Sequence, residues 1–149
     1  GVYFAEIGTS RAGGGNATLY DLESVQVLRG PQGTLFGRNN TGGAVLITPA
    51  APTDVLEGYV NGRLGDYALK DLEGAFNLPL GDKAALRLAG RVTERDGYFR
   101  SVATGQRSYD INNQNLRASL RWTPNDVFTS TTIATWLEAD EAGSMLKPT

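Results

Sequence analysis

Cysteine and histidine are both missing from the 149 residues. With neither thiolate nor imidazole, the chain cannot build disulfides, zinc clusters, haem ligation by imidazole, a cysteine nucleophile or a Ser-His-Asp triad. Most enzyme chemistry is excluded at once, and no catalytic residue, metal site or cofactor is expected. The lack of cysteine is compatible with an oxidising compartment without specifying one. No apolar run approaches the roughly 20 residues of a membrane-crossing helix, which leaves only a strand-built crossing open. Charge of one sign is not in excess either: 14 Lys and Arg stand against 16 Asp and Glu, a formal net charge of -2. The cations are scattered, without a polybasic patch or charged tail, so a nucleic-acid partner is not expected.

The most informative stretch present is Val25 to Ile47, VQVLRGPQGTLFGRNNTGGAVLI. Val25, Val27 and Leu28 have the β-branched and apolar character of a buried strand. Gly30-Pro31 ends it by joining a residue of permissive φ to one of fixed φ without an N–H. Pro31 suits the first turn of a helix and Gly37 its left-handed cap, predicting one or two helical turns between them. Asn39 to Gly43 is turn chemistry, and Ala44 to Thr48 restores a strand before Pro49 and Pro52 stop it. A Gly-rich phosphate loop is the plain alternative. It fails because Gly37-Arg38-Asn39-Asn40 lacks the Gly-Lys-Ser/Thr ending, and no G-x-G-x-x-G follows a strand.

Three pieces of this stretch, Leu28-Arg29-Gly30-Pro31, Leu35-Phe36-Gly37 and Gly42-Gly43-Ala44-Val45, stand in register. Together they resemble the plug of TonB-dependent outer-membrane receptors, in which an LRGP-type strand leads through a helical turn to an LYG- or LFG-like triplet and a GG pair opens the next strand. The resemblance implies a plug motif of Arg29, Gly30, Pro31, Gly33, Leu35, Phe36, Gly37, Gly42 and Gly43. It also implies a place for Arg29 at the interface of plug and barrel, paired with barrel carboxylates later in the chain. The plain reading of Arg29 is an exposed arginine in a turn.

Composition changes at Pro49-Ala50-Ala51-Pro52. Beyond it the residues alternate with period two, the strand signature. Leu72, Gly74, Phe76 and Leu78 share a face opposite Asp71, Glu73, Ala75 and Asn77; Leu86, Leu88, Gly90 and Val92 oppose Arg87, Ala89 and Arg91; Leu116, Ala118, Leu120 and Trp122 oppose Arg117, Ser119 and Arg121. Strands are predicted at Glu57 to Gly65, Lys70 to Leu78, Ala84 to Arg95, Gln114 to Thr123 and Val127 to Leu137. The last has apolar residues on both parities, which leaves its outward face open. Tight turns are expected at Pro79 to Lys83 and Thr123 to Asp126, and a long polar connection at Asp96 to Asn113. Short turns on one rim and long loops on the other suit an outer-membrane barrel.

Alternation alone fits a soluble β-sandwich equally well. The motif upstream decides for a mostly β chain: residues 1-53 as the C-terminal portion of a mixed α/β plug, and residues 54-149 as about five antiparallel strands of an incomplete transmembrane barrel. The family's barrel has about 22 strands and a plugged lumen. Gly1 begins in mid-pattern without a signal peptide, so an internal fragment is expected. Arg87, Arg91, Arg117 and Arg121 either line a hydrated lumen or occupy an ordinary exposed sheet face. Trp122 is either an interfacial girdle residue or a lid on a core.

Other constellations carry less. Glu138-Ala139-Asp140-Glu141 lacks the ligand register of a calcium loop. Asp21 and Glu23 have no supporting constellation for carboxylate hydrolysis, and the sequons at Asn16 and Asn39 are discounted. The polar, Gly-rich run Arg11 to Thr18 is expected to be a mobile plug loop. The resemblance implies uptake of a scarce large solute, most often a ferric siderophore, across the bacterial outer membrane. It further implies contact with membrane lipid and with the TonB energy-transducing complex through an N-terminal box. The alternative from another class is a soluble β-rich ligand-binding or interaction protein.

Overall fold

The computed structural model describes residues 1–5, 7–8, 19–30, 42–100 and 107–140. The chain divides into two compact units, Gly1–Ala51 and Pro52–Thr149. Among the described residues all regular structure is strand.

The first unit holds β1 (Val2–Phe4), β2 (Ile7–Gly8), β3 (Leu22–Arg29) and β4 (Gly43–Pro49) in the order β2-β1-β4-β3. The two runs that flank the motif pair antiparallel, with Val27 opposite Val45 and Val25 opposite Ile47, while β1 runs parallel to β4. Glycine fixes both ends of the pairing. Gly30 leaves β3 at φ +87°. Gly43 sits at φ +139° opposite Arg29, where a methyl group would collide with the Leu28 carbonyl oxygen. Tyr20, Ala44 and Ile47 are buried. The expectation of a buried strand at Val25 and Val27 is corrected: they are 50% and 66% exposed. β3 lies at the sheet edge, with a neighbour on one side only, whereas their cross-strand partners belong to the interior strand β4. The helical turn expected after Pro31 and the loop Arg11 to Thr18 lie outside the described residues.

The second unit is an antiparallel meander. Its strands are β5 (Glu57–Gly65), β6 (Leu69–Pro79), β7 (Ala84–Arg95), β10 (Ile111–Asn125) and β11 (Phe128–Ala139), in the order β11-β10-β7-β6-β5. β5 and β7 have the boundaries that alternation predicts, and the other three differ by one to three residues at each end. The turn after β6 closes through Gly81 at φ +77° and a 2.8 Å hydrogen bond from the Leu80 amide to the Ala84 carbonyl. After β10, the Asn125 side-chain oxygen accepts from the Val127 and Phe128 amides at 3.1 and 2.9 Å. That is the local capture by which asparagine favours turns.

The connection from Asp96 to Asn113 is not wholly irregular, as the sequence suggests. It contains a small hairpin, β8 (Phe99–Arg100) against β9 (Arg107–Ser108), and β10 already begins at Ile111. These strands are too short to register a period in the sequence.

Entry into the meander is fixed by one side chain. Asn77, fully buried, accepts from the Thr53 amide at 2.9 Å and donates to the Thr53 and Val55 carbonyls at 2.8 and 2.6 Å. Its amide thus supplies both donors and an acceptor to a segment that has no strand partner of its own.

Candidate functional site

Register converts the alternation of each strand into two continuous faces, because residues directly opposite in a sheet point the same way. One row across the meander reads Val60, Gly74, Gly90, Leu116, Trp136, and the next reads Gly58, Phe76, Leu88, Ala118, Ala134. The opposite face reads Glu57, Asn77, Arg87, Ser119 and, one row on, Tyr59, Ala75, Ala89, Arg117, Thr135.

Burial on these faces is inverted relative to a water-soluble sheet. Leu72, Phe76 and Leu116 are at least half exposed, whereas Arg117, Ser119 and Asn77 are 2% exposed or less. Burying a large apolar side chain is worth ~1.5–3 kcal/mol in water, so a sheet that turns its leucines outward and its arginines inward is unfavourable in water and favourable in hydrocarbon. The apolar band is bounded at both ends. At the rim carrying the longer connection, Lys70 and Glu94 form an ion pair at 4.0 Å on the outward parity. At the short-turn rim, Trp122 meets Phe128 edge to face at 6.3 Å. Ala84 to Val92 of β7 covers the interval, roughly 27 Å along an extended strand. At the usual ~40° tilt this is about 20 Å of height, near the ~25 Å apolar belt of outer-membrane barrels.

The polar face is a network. Arg91 grips Asp71 through Nε at 2.8 Å and Nη2 at 3.0 Å, and the Thr93 hydroxyl donates to the same carboxylate at 2.9 Å. Arg63 stands 3.6 Å from it. The Tyr59 hydroxyl donates to Glu73 at 2.8 Å, Arg87 pairs with Glu57 at 3.8 Å, and Arg121 pairs with Asp54. All four arginines singled out in the sequence therefore share this face. Arg87 and Arg117 are buried in the structure, so for these two the ordinary exposed sheet face is corrected. Trp122 is half exposed on the outward parity, a girdle position and not a lid on a core.

At the long-connection rim an aromatic group gathers. Tyr98 stacks on Tyr109 at 5.3 Å, Tyr67 meets Tyr98 edge-on at 6.1 Å, and the Arg95 guanidinium lies 5.3 Å over the Tyr98 ring. Tyr67 and Tyr109 hold positive φ, 59° and 66°. Neither this group nor the Asn77 clasp is visible in the sequence. Asp71 and Arg91 carried one signal, their shared parity on the polar face.

Of the plug-motif residues, the structure brings Arg29, Gly30, Gly42 and Gly43 together at the open end of the β3–β4 pair, with Arg29 exposed. Pro31, Gly33, Leu35, Phe36 and Gly37 lie outside the described residues. No cluster of three His, Cys, Asp or Glu suited to a metal ion occurs among the described residues. No described helix is long and apolar enough to cross a membrane, which leaves strand-built crossing untouched.

An outward greasy face, a polar inner face and a bounded belt define a membrane-embedded β-barrel wall. The comparisons place it further. No protein-family model matches the chain. The pesticin receptors of Yersinia enterocolitica and Yersinia pestis are 38% identical to it over 93 residues, 58% of this chain and 13% of theirs. The vitamin B12 transporter BtuB of Vibrio vulnificus is 26% identical over 119 residues, 79% of this chain and 20% of the transporter. The crystal structure of the ferric yersiniabactin uptake receptor FyuA from Yersinia pestis superposes with a TM-score of 0.67 at 28% identity, over 72% of this chain and 17% of that one. The chain is similar in sequence and in fold to TonB-dependent outer-membrane receptors; these relatives are transport receptors and not enzymes, and the place of such a wall is the bacterial outer membrane. It spans between 13% and 20% of the length of these curated relatives.

Proposed function

We propose that this chain serves a receptor that takes up a scarce, large solute by TonB-driven transport, with a ferric siderophore as cargo. The observation that carries the reading is the inverted burial of the meander, Leu116 outward beside Arg117 inward, together with relatives named for uptake. In this reading residues 54-149 supply wall strands and residues 1-53 supply part of the plug. The plug motif serves as a hinge held by Gly30 and Gly43. Arg29 is exposed at the end of β3, and docking of the plug in the wall would take it out of water and give it a wall carboxylate as partner, because a desolvated charge needs an opposite one. Ligand capture on the outside loosens the plug and offers a TonB box to the energy-transducing complex.

A ferric siderophore is favoured over other large solutes by the relative titled for ferric yersiniabactin uptake. The rim group of Tyr67, Tyr98 and Tyr109 with Arg95 adds chemical support: π faces and a guanidinium suit an anionic chelate that carries aromatic donor groups.

The test is uptake by the intact receptor in cells lacking their own siderophore and cobalamin receptors. Saturable accumulation of iron-55 delivered on a siderophore, abolished when TonB is deleted, is expected. Accumulation of labelled cobalamin instead would overturn the cargo and leave the transport class. A receptor recovered in the aqueous phase without detergent would overturn the class as well and favour a soluble β-rich binding protein.

A further inference from the structure

The outward face of the meander is not an even surface. A groove of about 750 Å³ crosses it, with Gly74 and Gly90 as floor and Val60, Phe76, Leu88 and Leu116 among its walls. A second hollow of about 380 Å³ shares Val60, Gly74, Gly90 and Leu116 and carries the furrow to Trp136. The larger hollow is a shallow furrow, open along most of its surface.

The floor glycines have different reasons to be glycine. At Gly74 a Cβ would lie 3.0 Å from the Tyr59 carbonyl oxygen, so close backbone approach accounts for it. Gly90 has ordinary φ, and a Cβ there would meet only the Asn115 carbonyl oxygen at 3.4 Å and a Leu116 methyl at 3.6 Å, normal contacts. Neither backbone conformation nor crowding demands glycine at 90. Its effect is to keep the floor low on strand β7, two strands in from the β5 edge of the sheet.

We infer that this groove seats one acyl chain of an outer-membrane lipid in a defined position, distinct from the lipid that merely surrounds the barrel. The inference rests on the membrane reading of the family. The occupant follows from position and chemistry. The groove lies inside the apolar belt, between the Lys70–Glu94 pair at one rim and the Trp122–Phe128 pair at the other. The outward residues that line the larger hollow, Val60, Phe76, Leu88 and Leu116, carry no polar side-chain atom, and polar atoms on the outward side enter only at the far end of the second hollow, with Gln114 and the Trp136 indole. At that depth a polar partner would be left without hydrogen bonds, whereas an alkyl chain needs none. The elongated form, running from Gly58 on β5 to Trp136 on β11, suits a linear chain better than a compact ligand.

The test uses the intact receptor reconstituted in phosphatidylcholine vesicles that contain a phosphatidylcholine with a diazirine in its acyl chain. After illumination, adducts are mapped by peptide mass spectrometry. Adducts several-fold denser on Val60, Phe76, Leu88 and Leu116 than on the flanking outward residues Leu86 and Leu120 are expected, and Gly90→Leu should level that difference. Gly90→Ala, whose Cβ the site accepts, should leave it nearly intact and controls for folding. Even labelling of the whole belt would overturn the inference, as would an unchanged pattern in Gly90→Leu. Labelled flanks around an unlabelled groove would assign the groove to protein. An outward face without any adduct would overturn the membrane reading itself.

Discussion

Arg91 on β7 holds Asp71 on β6 by two parallel hydrogen bonds, Nε to one carboxylate oxygen at 2.8 Å and Nη2 to the other at 3.0 Å. The residues are diagonal neighbours, since Asp71 lies opposite Thr93 and Arg91 opposite Glu73. The long guanidinium spans the offset, and Thr93 takes the remaining place on the carboxylate. The bidentate geometry is the strong form of ion pair, and the Asp71 side chain is only 5% exposed.

Removing one partner should therefore cost more than removing both. Asp71→Leu takes from Arg91 the carboxylate that grips it and is expected to destabilise the refolded receptor by about 2–4 kcal/mol, at or somewhat below the range for a broken buried pair. Asp71→Leu with Arg91→Met should cost clearly less than the two single changes summed, a coupling of about 1–3 kcal/mol. Urea unfolding of the four proteins in detergent measures it, and simple additivity would refute the pairing as an energetic unit.

Asn77 is the second fixed point. Asn77→Leu keeps the volume and deletes three hydrogen bonds to Thr53 and Val55, each worth a net ~0.5–1.5 kcal/mol. The loss should concentrate on the connector. Limited proteolysis of the reconstituted receptor is expected to open a new cut between residues 52 and 57 while β6 and β7 stay protected. An unchanged digestion pattern would count against the clasp.

Gly30 and Gly43 distinguish backbone strain from collision. Gly30, at φ +87° with open space around it, should tolerate alanine at a cost of about 1 kcal/mol and asparagine at less. Gly43 combines φ +139° with the Leu28 carbonyl in the path of a methyl group. Gly43→Ala is expected to break the β3–β4 pairing, seen as fast hydrogen exchange at Val27 and Val45, with Gly42→Ala as the silent neighbour.

The two faces can be tested by a charge placed on either side of one sheet. Leu88→Lys puts it on the outward parity at mid-belt and should cost ~2–4 kcal/mol of folding free energy in lipid. Thr135→Lys, on the inward parity beside Arg117, should cost less than half of that. Equal costs in vesicle refolding would mean that the faces do not differ in solvent.

Much of this was legible in the residues before any coordinates. The pleat of a strand has period two, so alternation in Leu86 to Val92 or Leu116 to Trp122 already states which side chains share a face, and Gly30, Pro49 and Gly81 state where strands stop. β11 was harder, because Phe128 and Trp136 differ in parity from Ile133 and Leu137. Its register with β10, where Trp136 lies opposite Leu116, settles the matter.

Local order could say which residues stand together; it could not say what stands against them. A greasy face toward lipid and a greasy face toward a protein core have the same spelling. Only the fold showed Leu116 exposed and Arg117 buried, put Val25 and Val27 on an edge, and gathered Tyr67 from one connection with Tyr98 and Tyr109 from another. The physical reason is that strand geometry is written within a few neighbouring residues, whereas burial and side-chain pairing are set by partners distant along the chain, such as Thr53 for Asn77.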